Sequence, residues 1–308
     1  MKPGKRRTLP WRLRTRTLLP GERTLVMAVI NLTPDSFSDG GLFPSPDAAV
    51  EYALEALAQG ADILDLGAES TRPGSRAGGT EGTAEAPAVS ADEEQARLLP
   101  VLEGILQAHP GAVISVDTYK AATARAAIAA GAEIVNDVSG FAWDAGMAAV
   151  CAEYKAGVVL SHTRGRPEEW AAQPRLDADA LLAAVRTGLQ GSLAVAQSAG
   201  IPAEAVLMDP GYGFGKRFEE NFVLLGRQQE LLELGRPLLA GLSRKSFLGR
   251  ALAPLHGGSD APPLEREMAS VAALTAAILH GASVVRVHAV RAAVEAAHIA
   301  DAIVRATG

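Results

Sequence analysis

The chain has 308 residues, a net charge of −6 and 48% hydrophobic residues, which excludes a disordered protein and a basic nucleic-acid-binding surface. Its single cysteine, Cys151, cannot form an intrachain disulfide, so we expect a reducing, cytoplasmic environment. No apolar run reaches the roughly 18 residues that a membrane span requires. We therefore expect a globular protein with neither a nucleic-acid nor a membrane partner, in which local cations meet any anionic ligand.

The first 23 residues differ from the rest because they are strongly basic. They contain eight Lys or Arg residues and a single acidic residue, Glu22. They lack the apolar core and the sustained amphipathic pattern of a targeting peptide. We interpret residues 1–23 as a solvated basic extension that could pair as a short hairpin, and residues 24–308 as the main domain.

Eight short apolar segments recur along the chain, and each ends in polar residues. Near-continuous apolar runs of this kind are typical of parallel strands that are covered on both faces. In chain order the segments are LVMAVINLT, ADILDLGAEST, AVISVDT, AEIVNDVSG, GVVLSHT, VLMDPG, PLLAGLSR and SVVRVHA.

Helical patterns lie between these segments. After the first, Ser45 is placed to cap a helix whose first position is Pro46. After the second, Ser90 and Glu93 have the spacing of a capping box. Pro100 falls inside this second helix, so we expect it to kink the helix or to move its start.

Eight strand–helix pairs predict a single (β/α)8 TIM barrel in the α/β class, with no length to spare for a second domain. The alternative is a doubly wound open sheet, which more often has about five to seven strands. The active site of a TIM barrel lies where its strands end. A single polar residue there could instead cap a helix or hydrogen-bond to the main chain of a loop. Several polar residues at strand ends favour a shared site. The polar residues at predicted strand ends are Asn31, Asp65, Asp117, Asn136, His162, Asp209, Lys245, Arg286 and His288.

These residues and the nearby Arg72 fall into two chemical groups. The first group has donors and cations that suit a phosphorylated anion: Arg72, Lys245, Arg286 and His288. The second has acceptors and amides that suit the edge of a flat heterocycle: Asp117, Asp209 and Asn136.

Asn31 could reach a Mg²⁺ ion through its carbonyl oxygen, because this metal takes hard oxygen ligands and is often bound partly through substrate phosphates. A dedicated metal cage is not visible in the sequence. The six histidines include no HExxH pair, and Cys151 alone cannot form a thiolate cluster, which argues against zinc.

Two further segments are candidates for ligand binding. The glycines of DPGYGFGK, from Asp209 to Lys216, do not have Rossmann or P-loop spacing, so we interpret them as a tight turn close to a ligand. In GLSRKSFLG, the residues from Ser243 to Ser246 are predicted to end a strand and open a helix. The free N–H groups there, together with Lys245, would form an anion site.

Seven motifs between Asn31 and Val290 resemble, in order, those of the dihydropteroate synthase family. They are NLTPDSFSDGG, ESTRPG, VDTYK, NDVSG, MDPGYGFGK, LSRKSFLG and RVHAV. The resemblance implies a TIM-barrel enzyme of folate biosynthesis that joins p-aminobenzoate to 6-hydroxymethyl-7,8-dihydropterin diphosphate. The products would be 7,8-dihydropteroate and diphosphate. The resemblance also implies a Mg²⁺ cofactor and a homodimer.

The resemblance assigns a role to each matching residue. The pterin would be held by Asn136, Asp209 and Lys245, with Arg286 stacked on its face and Asp117 near its ring. The diphosphate would be held by Arg72, His288 and, through Mg²⁺, Asn31. The p-aminobenzoate pocket would include Asp35, Ser36, Phe37, Thr71 and Pro73, and Ser246 would receive the substrate carboxylate. Of all these, we take the catalytic residues to be Asp117, Lys245, Asp35 and Arg72.

Three features depart from the family pattern. Ala289 stands where the family has an aspartate, so we expect it to leave His288 without an orienting carboxylate. The fifth strand ends in SHTRG rather than Met-His-Met, and the segment from Ser75 to Ala91 reads as a long flexible insertion.

Two alternatives to an active synthase stay open. A methyltetrahydrofolate–corrinoid methyltransferase would share the pterin-binding carboxylates and amide, but it needs no cationic diphosphate site. A non-catalytic paralogue would bind pterins without turnover, as Ala289 and Ser161 suggest.

Overall fold

The computed structural model describes residues 8–33, 45–69 and 89–307. Two short strands, β1 (Trp11–Arg12) and β2 (Thr17–Leu18), form an antiparallel hairpin. The strands that follow close into a parallel barrel in the order β10-β3-β4-β5-β6-β7-β8-β9. They are β3 (Leu25–Asn31), β4 (Ile63–Gly67), β5 (Ile114–Asp117), β6 (Ile134–Asp137), β7 (Gly157–Ser161), β8 (Val206–Asp209), β9 (Leu238–Ala240) and β10 (Ala282–Val287). The predicted eight-stranded TIM barrel is confirmed, and the open sheet is excluded.

Helices follow the barrel strands and cover the outside of the barrel. In the described residues they are α1 (Pro46–Ala58), α2 (Ala91–Ala108), α3 (Ala121–Ala129), α4 (Met147–Tyr154), α5 (Ala178–Ser198), α6 (Phe218–Arg227), α7 (Ser246–Ala251), α8 (Glu267–Leu279) and α9 (Val290–Thr307). Short 3₁₀ helices lie at Trp170–Ala172, Ala203–Ala205, Gln228–Leu234, Ala253–Leu255 and Pro263–Arg266. None of the helices in these parts of the chain has the length and apolar character that a membrane span needs.

The helix starts follow the capping signals of the sequence. The Ser45 hydroxyl accepts a hydrogen bond from the Ala48 main-chain N–H at 3.3 Å. At α2, the Ser90 hydroxyl accepts from the Glu93 N–H, and the Glu93 carboxylate accepts from the Ser90 N–H. Both caps satisfy main-chain donors that have no partner within the helix. Pro100 lies inside α2, which still starts at its capping box, so a later start is wrong.

The interior of the barrel changes from apolar to polar along the strands. Near the amino-terminal ends it is filled by Met27, Ile63, Val113, Ile134, Val159, Leu207, Leu239 and Val284. Successive residues of a strand alternate between its two faces, so residues two positions apart share a face. Two positions further along six of these strands stand Asp65, Ser115, Asn136, Ser161, Asp209 and Arg286. The polar layer therefore lies on the apolar one, towards the carboxyl-terminal mouth of the barrel.

The β1–β2 hairpin closes the opposite end of the barrel. Trp11 and Leu13 are buried and belong to the same cluster as the apolar layer. The Trp11 indole N–H donates to the Ala205 carbonyl oxygen at 3.0 Å. Leu13 packs so closely on Gly157 that a Cβ atom there would lie 2.5 Å from it. The basic composition suggested a solvated extension, but its apolar side chains form a plug under the barrel.

Candidate active site

Arg286, on β10, belongs to a hydrogen-bond network with side chains of three other strands across the mouth of the barrel. Its Nε donates to Asp65 Oδ2 at 2.5 Å, and its Nη2 donates to Asp117 Oδ2 at 2.6 Å. The same Asp65 oxygen accepts from Asn136 Nδ2 at 3.1 Å. The Arg286 guanidinium donates from two of its nitrogens to two different carboxylates, so the orientation of its plane is fixed.

Asp65 is the buried centre of this network. Its side chain is 0% exposed, and one of its oxygens serves both Arg286 and Asn136. The sequence placed Asp65 at a strand end but gave it no role. A signal was available, because Asp65 stands two residues after Ile63 and so shares its inward face. We interpret Asp65 as the residue that positions Arg286 and Asn136.

Asp117 combines burial with a strong ion pair. Burial raises the pKa of Asp117 to about 7, Arg286 opposes this rise, and the nearby Asp65 carboxylate adds to it. One-fifth of the Asp117 side chain is still exposed at the mouth. Its protonation state therefore changes close to neutral pH. A ligand at the mouth can reach the exposed part of the side chain.

Asp209, at the end of β8, faces the mouth from the other side. Its Oδ1 accepts from the Gly211 main-chain N–H at 2.7 Å, while its Oδ2 has a long contact of 3.4 Å with the Ser161 hydroxyl. Burial raises the pKa of Asp209. One oxygen is thus fixed by the main chain and the other is placed to accept from a ligand. The departure from the family pattern at Ser161 puts a hydroxyl beside that second oxygen.

Lys245 lies immediately before α7, close to Asp209. Its Nζ stands 3.9 Å from the centre of the Phe214 ring. Burial lowers the pKa of Lys245 to about 8, against the opposite effect of Asp209. Gly213 has φ +81°, a backbone conformation that favours glycine, and a Cβ there would be in ordinary van der Waals contact with the lysine Cδ at 3.4 Å.

The predicted start of the LSRKS helix is correct, but the predicted strand end is not. Strand β9 ends at Ala240, so residues 241–245 form a connecting loop, and Ser243 does not end the strand. Ser246 is the exposed first residue of α7. The loss of strand pairing after Ala240 could not be predicted from the apolar run alone, because that run continues to Leu242.

The DPGYGFGK segment forms the tight turn that its glycines predicted. Gly211 has φ +71°, and a Cβ there would lie 1.9 Å from the His162 carbonyl oxygen. Lys216 Nζ donates to the carbonyl oxygens of His162, Gly211 and Phe214 at 2.9, 2.8 and 3.2 Å. Burial lowers the pKa of Lys216 to about 7. Lys216, which the sequence left without a role, holds this loop against the end of β7.

His162 does not join the other polar side chains. A Cβ at Gly188, on α5, would lie 2.4 Å from the imidazole, so the ring is turned outward towards that helix. Burial keeps the pKa of His162 well below its ordinary value. Since Ser161 faces inward, the next residue must face outward. The prediction that His162 joins the other polar residues of the site is therefore wrong.

His288 and Asn31 stand at the ends of the neighbouring strands β10 and β3. The Ser243 hydroxyl lies 3.2 Å from the His288 main-chain nitrogen and 3.0 Å from its Nδ1. Ala289 directly precedes α9, and its carbonyl oxygen accepts from the Ala293 N–H at 3.1 Å, so it is the N-cap residue of that helix. Ala289 offers His288 no carboxylate, and the Ser243 hydroxyl contacts the ring instead.

Six residues of the predicted site lie outside the described residues: Asp35, Ser36, Phe37, Thr71, Arg72 and Pro73. Most of the segment from Ser75 to Ala91 lies outside them as well. Glu69 and Val89 stand on either side of residues 70–88. They are in contact, because the Val89 N–H donates to Glu69 Oε1 at 3.3 Å.

Asn31 is a described residue that could offer one oxygen ligand to a magnesium ion. The described residues contain no group of three or more His, Cys, Asp or Glu side chains that could enclose a metal. Asn31 offers one half-buried amide at a strand end, near the cationic side of the site. An amide oxygen, phosphate oxygens and water together form the hard oxygen set that Mg²⁺ prefers.

Residues 27–288 match the family described as pterin binding enzyme. The chain is 39% identical over 287 residues to the dihydropteroate synthase of Bacillus subtilis, covering 93% of this chain and 91% of that protein. A dihydropteroate synthase structure from Xanthomonas albilineans with 4-aminobenzoic acid superimposes with a TM-score of 0.81 at 38% identity, covering 96% of this chain and 98% of the other. A dihydropteroate synthase structure from Burkholderia cenocepacia, complexed with 7,8-dihydropteroate, superimposes with a TM-score of 0.79 at 36% identity. It covers 97% of this chain and 98% of the other. The chain therefore belongs to the pterin binding enzymes and, within them, to the dihydropteroate synthase family.

Proposed function

We propose that this chain condenses 6-hydroxymethyl-7,8-dihydropterin diphosphate with p-aminobenzoate to form 7,8-dihydropteroate and diphosphate. The observation that carries the proposal is the network of Arg286, Asp65, Asn136 and Asp117, which faces Asp209 and Lys245 across the barrel mouth. It presents a flat cation, acceptors and donors around one opening. A pterin has a flat ring and an edge with alternating donors and acceptors, and this set matches both.

The pterin would lie between the two halves of the polar layer. Asp209 Oδ2 would accept from the pterin edge, while Asn136 and Lys245 would supply further polar contacts. The guanidinium of Arg286, fixed by its two aspartates, would stack on the ring face. Buried polar groups of this kind reject ligands that leave them unpaired.

The diphosphate would extend towards the ends of β3 and β10. His288 would donate a hydrogen bond there, and Arg72, which lies outside the described residues, would add a charge. Asn31 would hold Mg²⁺, which when bound neutralises the negative charge that builds up on the leaving diphosphate. This metal role rests on the family resemblance and on the hard oxygen donor that Asn31 provides.

The reaction needs positioning and electrostatic stabilisation rather than a covalent nucleophile. The bond between the pterin methylene carbon and the diphosphate oxygen breaks, and its electron pair leaves with the diphosphate. The amine nitrogen of p-aminobenzoate then gives its lone pair to the methylene carbon and releases one proton. Between these events the methylene carries positive charge, which the ionised Asp117 carboxylate would stabilise from its place beside the pterin.

The p-aminobenzoate would enter over the pterin, near the start of α7. Ser246 is exposed there and would contact the substrate carboxylate. The residues Asp35, Phe37, Thr71 and Pro73 keep the roles that the family resemblance implies. The related Xanthomonas albilineans structure contains 4-aminobenzoic acid, which supports this choice of second substrate.

The chain would act as a homodimer formed through its last two helices. Helices α8 and α9 pack against each other and carry Met268 and Ile299, which are 79% and 60% exposed. Exposed apolar side chains on adjacent helices favour contact with a second copy. A cytoplasmic location stays a prediction from the single cysteine.

The two alternatives are disfavoured by particular contacts. A corrinoid methyltransferase would have no use for the cationic side of the mouth, where Lys245, Arg286 and His288 stand. The non-catalytic paralogue was suggested by Ala289 and Ser161, but Ser243 contacts the His288 ring. This contact weakens the part of that alternative that rests on Ala289.

The direct test is to mix the purified protein with Mg²⁺, p-aminobenzoate and the pterin diphosphate, and to follow dihydropteroate by mass spectrometry. We expect time-dependent product that depends on both substrates. Methyl transfer from methyltetrahydrofolate to a corrinoid, assayed in parallel, should be absent. Binding of the pterin diphosphate with no product above background would contradict the proposal and support the non-catalytic alternative.

A further inference from the structure

His288 is fixed at both its ring and its main chain. The Ser243 hydroxyl oxygen lies 3.2 Å from the His288 main-chain nitrogen and 3.0 Å from Nδ1 of its ring. The Tyr52 hydroxyl donates to the His288 carbonyl oxygen at 3.3 Å. One hydroxyl group therefore meets the residue at two atoms, while a second restrains its backbone.

The protons at the Ser243 oxygen decide which ring nitrogen of His288 carries hydrogen. The main-chain N–H of His288 can only donate, so the Ser243 oxygen accepts from it. The hydroxyl still has its own proton to donate. Within the described residues, the acceptor that lies within hydrogen-bond distance for it is Nδ1. If the hydroxyl donates to Nδ1, the neutral ring must carry its hydrogen on Nε2.

We propose that Ser243 is a positioning residue that keeps neutral His288 in the Nε2–H tautomer, with Nε2 as the donor to the diphosphate of the substrate. The part concerning diphosphate rests on the proposed function. The tautomer is argued from the contacts between Ser243 and His288, independently of the proposed function. A carboxylate at Nδ1 would instead accept a proton there, so a serine gives the ring a different hydrogen-bond partner and a different tautomer.

The loop that carries Ser243 is held in an uncommon conformation. Arg244 has φ +59°, a left-handed backbone conformation that non-glycine residues rarely adopt. Its main-chain N–H donates to the Ser270 hydroxyl, and its carbonyl oxygen accepts from Arg266 Nη1, both at 2.9 Å. These two contacts from α8 and the segment before it offset the strain and keep Ser243 facing His288.

The tautomer is tested directly by NMR of protein labelled with ¹⁵N-histidine, with His288→Ala used to assign the His288 signals. In the unsubstituted protein at a pH where the ring is neutral, we expect a non-protonated Nδ1 and a protonated Nε2. Ser243→Ala should shift both signals towards a mixture of tautomers, and Ser243→Thr, which keeps the hydroxyl, should restore them. A protonated Nδ1 in the unsubstituted protein would overturn the proposal, whatever the enzyme's activity.

The consequence for binding is tested by titration with two ligands. Ser243→Ala should weaken the pterin diphosphate about tenfold, the size expected for one hydrogen bond to a charged group, and leave the pterin alcohol unchanged. The same substitution in a His288→Ala background should have no further effect. Equal weakening of both ligands, or an undiminished effect without His288, would show a merely structural role and overturn the proposal. No binding of pterin diphosphate by the unsubstituted protein would instead contradict the proposed function, with the NMR result still deciding the tautomer.

Discussion

Asp209 shows how a main-chain contact determines what a single substitution does. The Gly211 N–H fixes one carboxylate oxygen, so the amide of Asp209→Asn must place its oxygen there and its NH₂ group towards the ligand. The pterin edge would then meet a donor in place of an acceptor. We expect the pterin affinity to fall about 10- to 100-fold, as for a buried unpaired group.

Calorimetric titration with the pterin alcohol measures this loss without any contribution from the diphosphate. Ser161→Ala is the matched control, because it removes only the 3.4 Å contact to the other oxygen and should change the affinity little. Unchanged affinity in Asp209→Asn would remove this residue from the pterin site.

The raised pKa of Asp117 predicts a pH dependence of catalysis. Burial raises this pKa to about 7, so the carboxyl is largely protonated at pH 6 and ionised at pH 8. Since the ionised form stabilises the positive methylene, kcat/KM should rise with pH through this range. Asp117→Asn should be slower and should lack this rise. A rise of the same size in both proteins would assign the titration to another group.

At the residue scale, chemical type was predictable from the sequence but shared contacts were not. The strand periodicity placed Asp117, Asn136, Asp209 and Arg286 together at the mouth, and they are there. The inward direction of Asp65 could also be predicted from the alternation of faces along its strand. The contact of Ser243 with His288 was not, because it joins a loop to a residue 45 positions away through a backbone bend at Arg244.

Among the elements, helix α9 begins with an alanine at its N-cap position. Ala289 occupies its N-cap, where an Asp or Asn side chain can accept from main-chain N–H groups that alanine leaves without a side-chain partner. Ala289→Asp should raise the free energy of unfolding by about 1 kcal/mol. Chemical denaturation measures this change. Ala289→Asn, which caps without a charge, should give a similar gain.

The same pair of variants tests whether a carboxylate at this position acts on His288. Ser243 already contacts Nδ1, so we expect the pH profile of kcat/KM to be the same for Ala289→Asp and Ala289→Asn. A shift to higher pH in the aspartate variant alone would show that the carboxylate reaches the imidazole and raises its pKa.

The β1–β2 hairpin should contribute to the stability of the barrel. Trp11 is 0% exposed, and truncation of a buried Trp to Ala typically costs about 3–5 kcal/mol. Trp11→Ala should therefore lower the thermal midpoint strongly, as followed by circular dichroism. Arg12→Ala is the control, because the Arg12 side chain is 48% exposed and should matter little. Equal stability of the two variants would contradict the claim that the β1–β2 hairpin stabilises the barrel.

Elements with local signals were predicted well from the sequence, and those with tertiary causes were not. The caps at Ser45 and Ser90 depend on spacing within a few residues, which a sequence displays directly. The hairpin was interpreted as solvated because its arginines dominate its composition. Its burial depends on Trp11 and Leu13 meeting the lower apolar layer, to which residues as distant as Val284 contribute.

For the whole molecule, the exposed apolar side chains of α8 and α9 predict self-association. Replacing Met268 and Ile299 together by Glu should convert a dimer to a monomer, because charge is depleted from the core of a stable interface. Light scattering after size-exclusion chromatography gives the mass of each protein. A dimer that survives both substitutions would place the interface elsewhere.

The whole barrel was predictable because its signal repeats. Eight apolar runs with helical patterns between them leave few alternative folds for 308 residues, and polar residues at the strand ends locate the mouth. The direction of each loop side chain was not predictable, since it depends on contacts between elements that are far apart in sequence.

The most direct test of the account measures both products of one reaction mixture, in the presence of Mg²⁺, for the unsubstituted protein and Arg286→Met. The unsubstituted protein should form dihydropteroate and diphosphate in equal amounts. Arg286→Met should lose at least about 100-fold in kcat/KM, because Asp65 and Asp117 then lose their buried cationic partner. Diphosphate release without dihydropteroate, or an Arg286→Met enzyme of unchanged rate, would contradict the claim that this network carries the condensation.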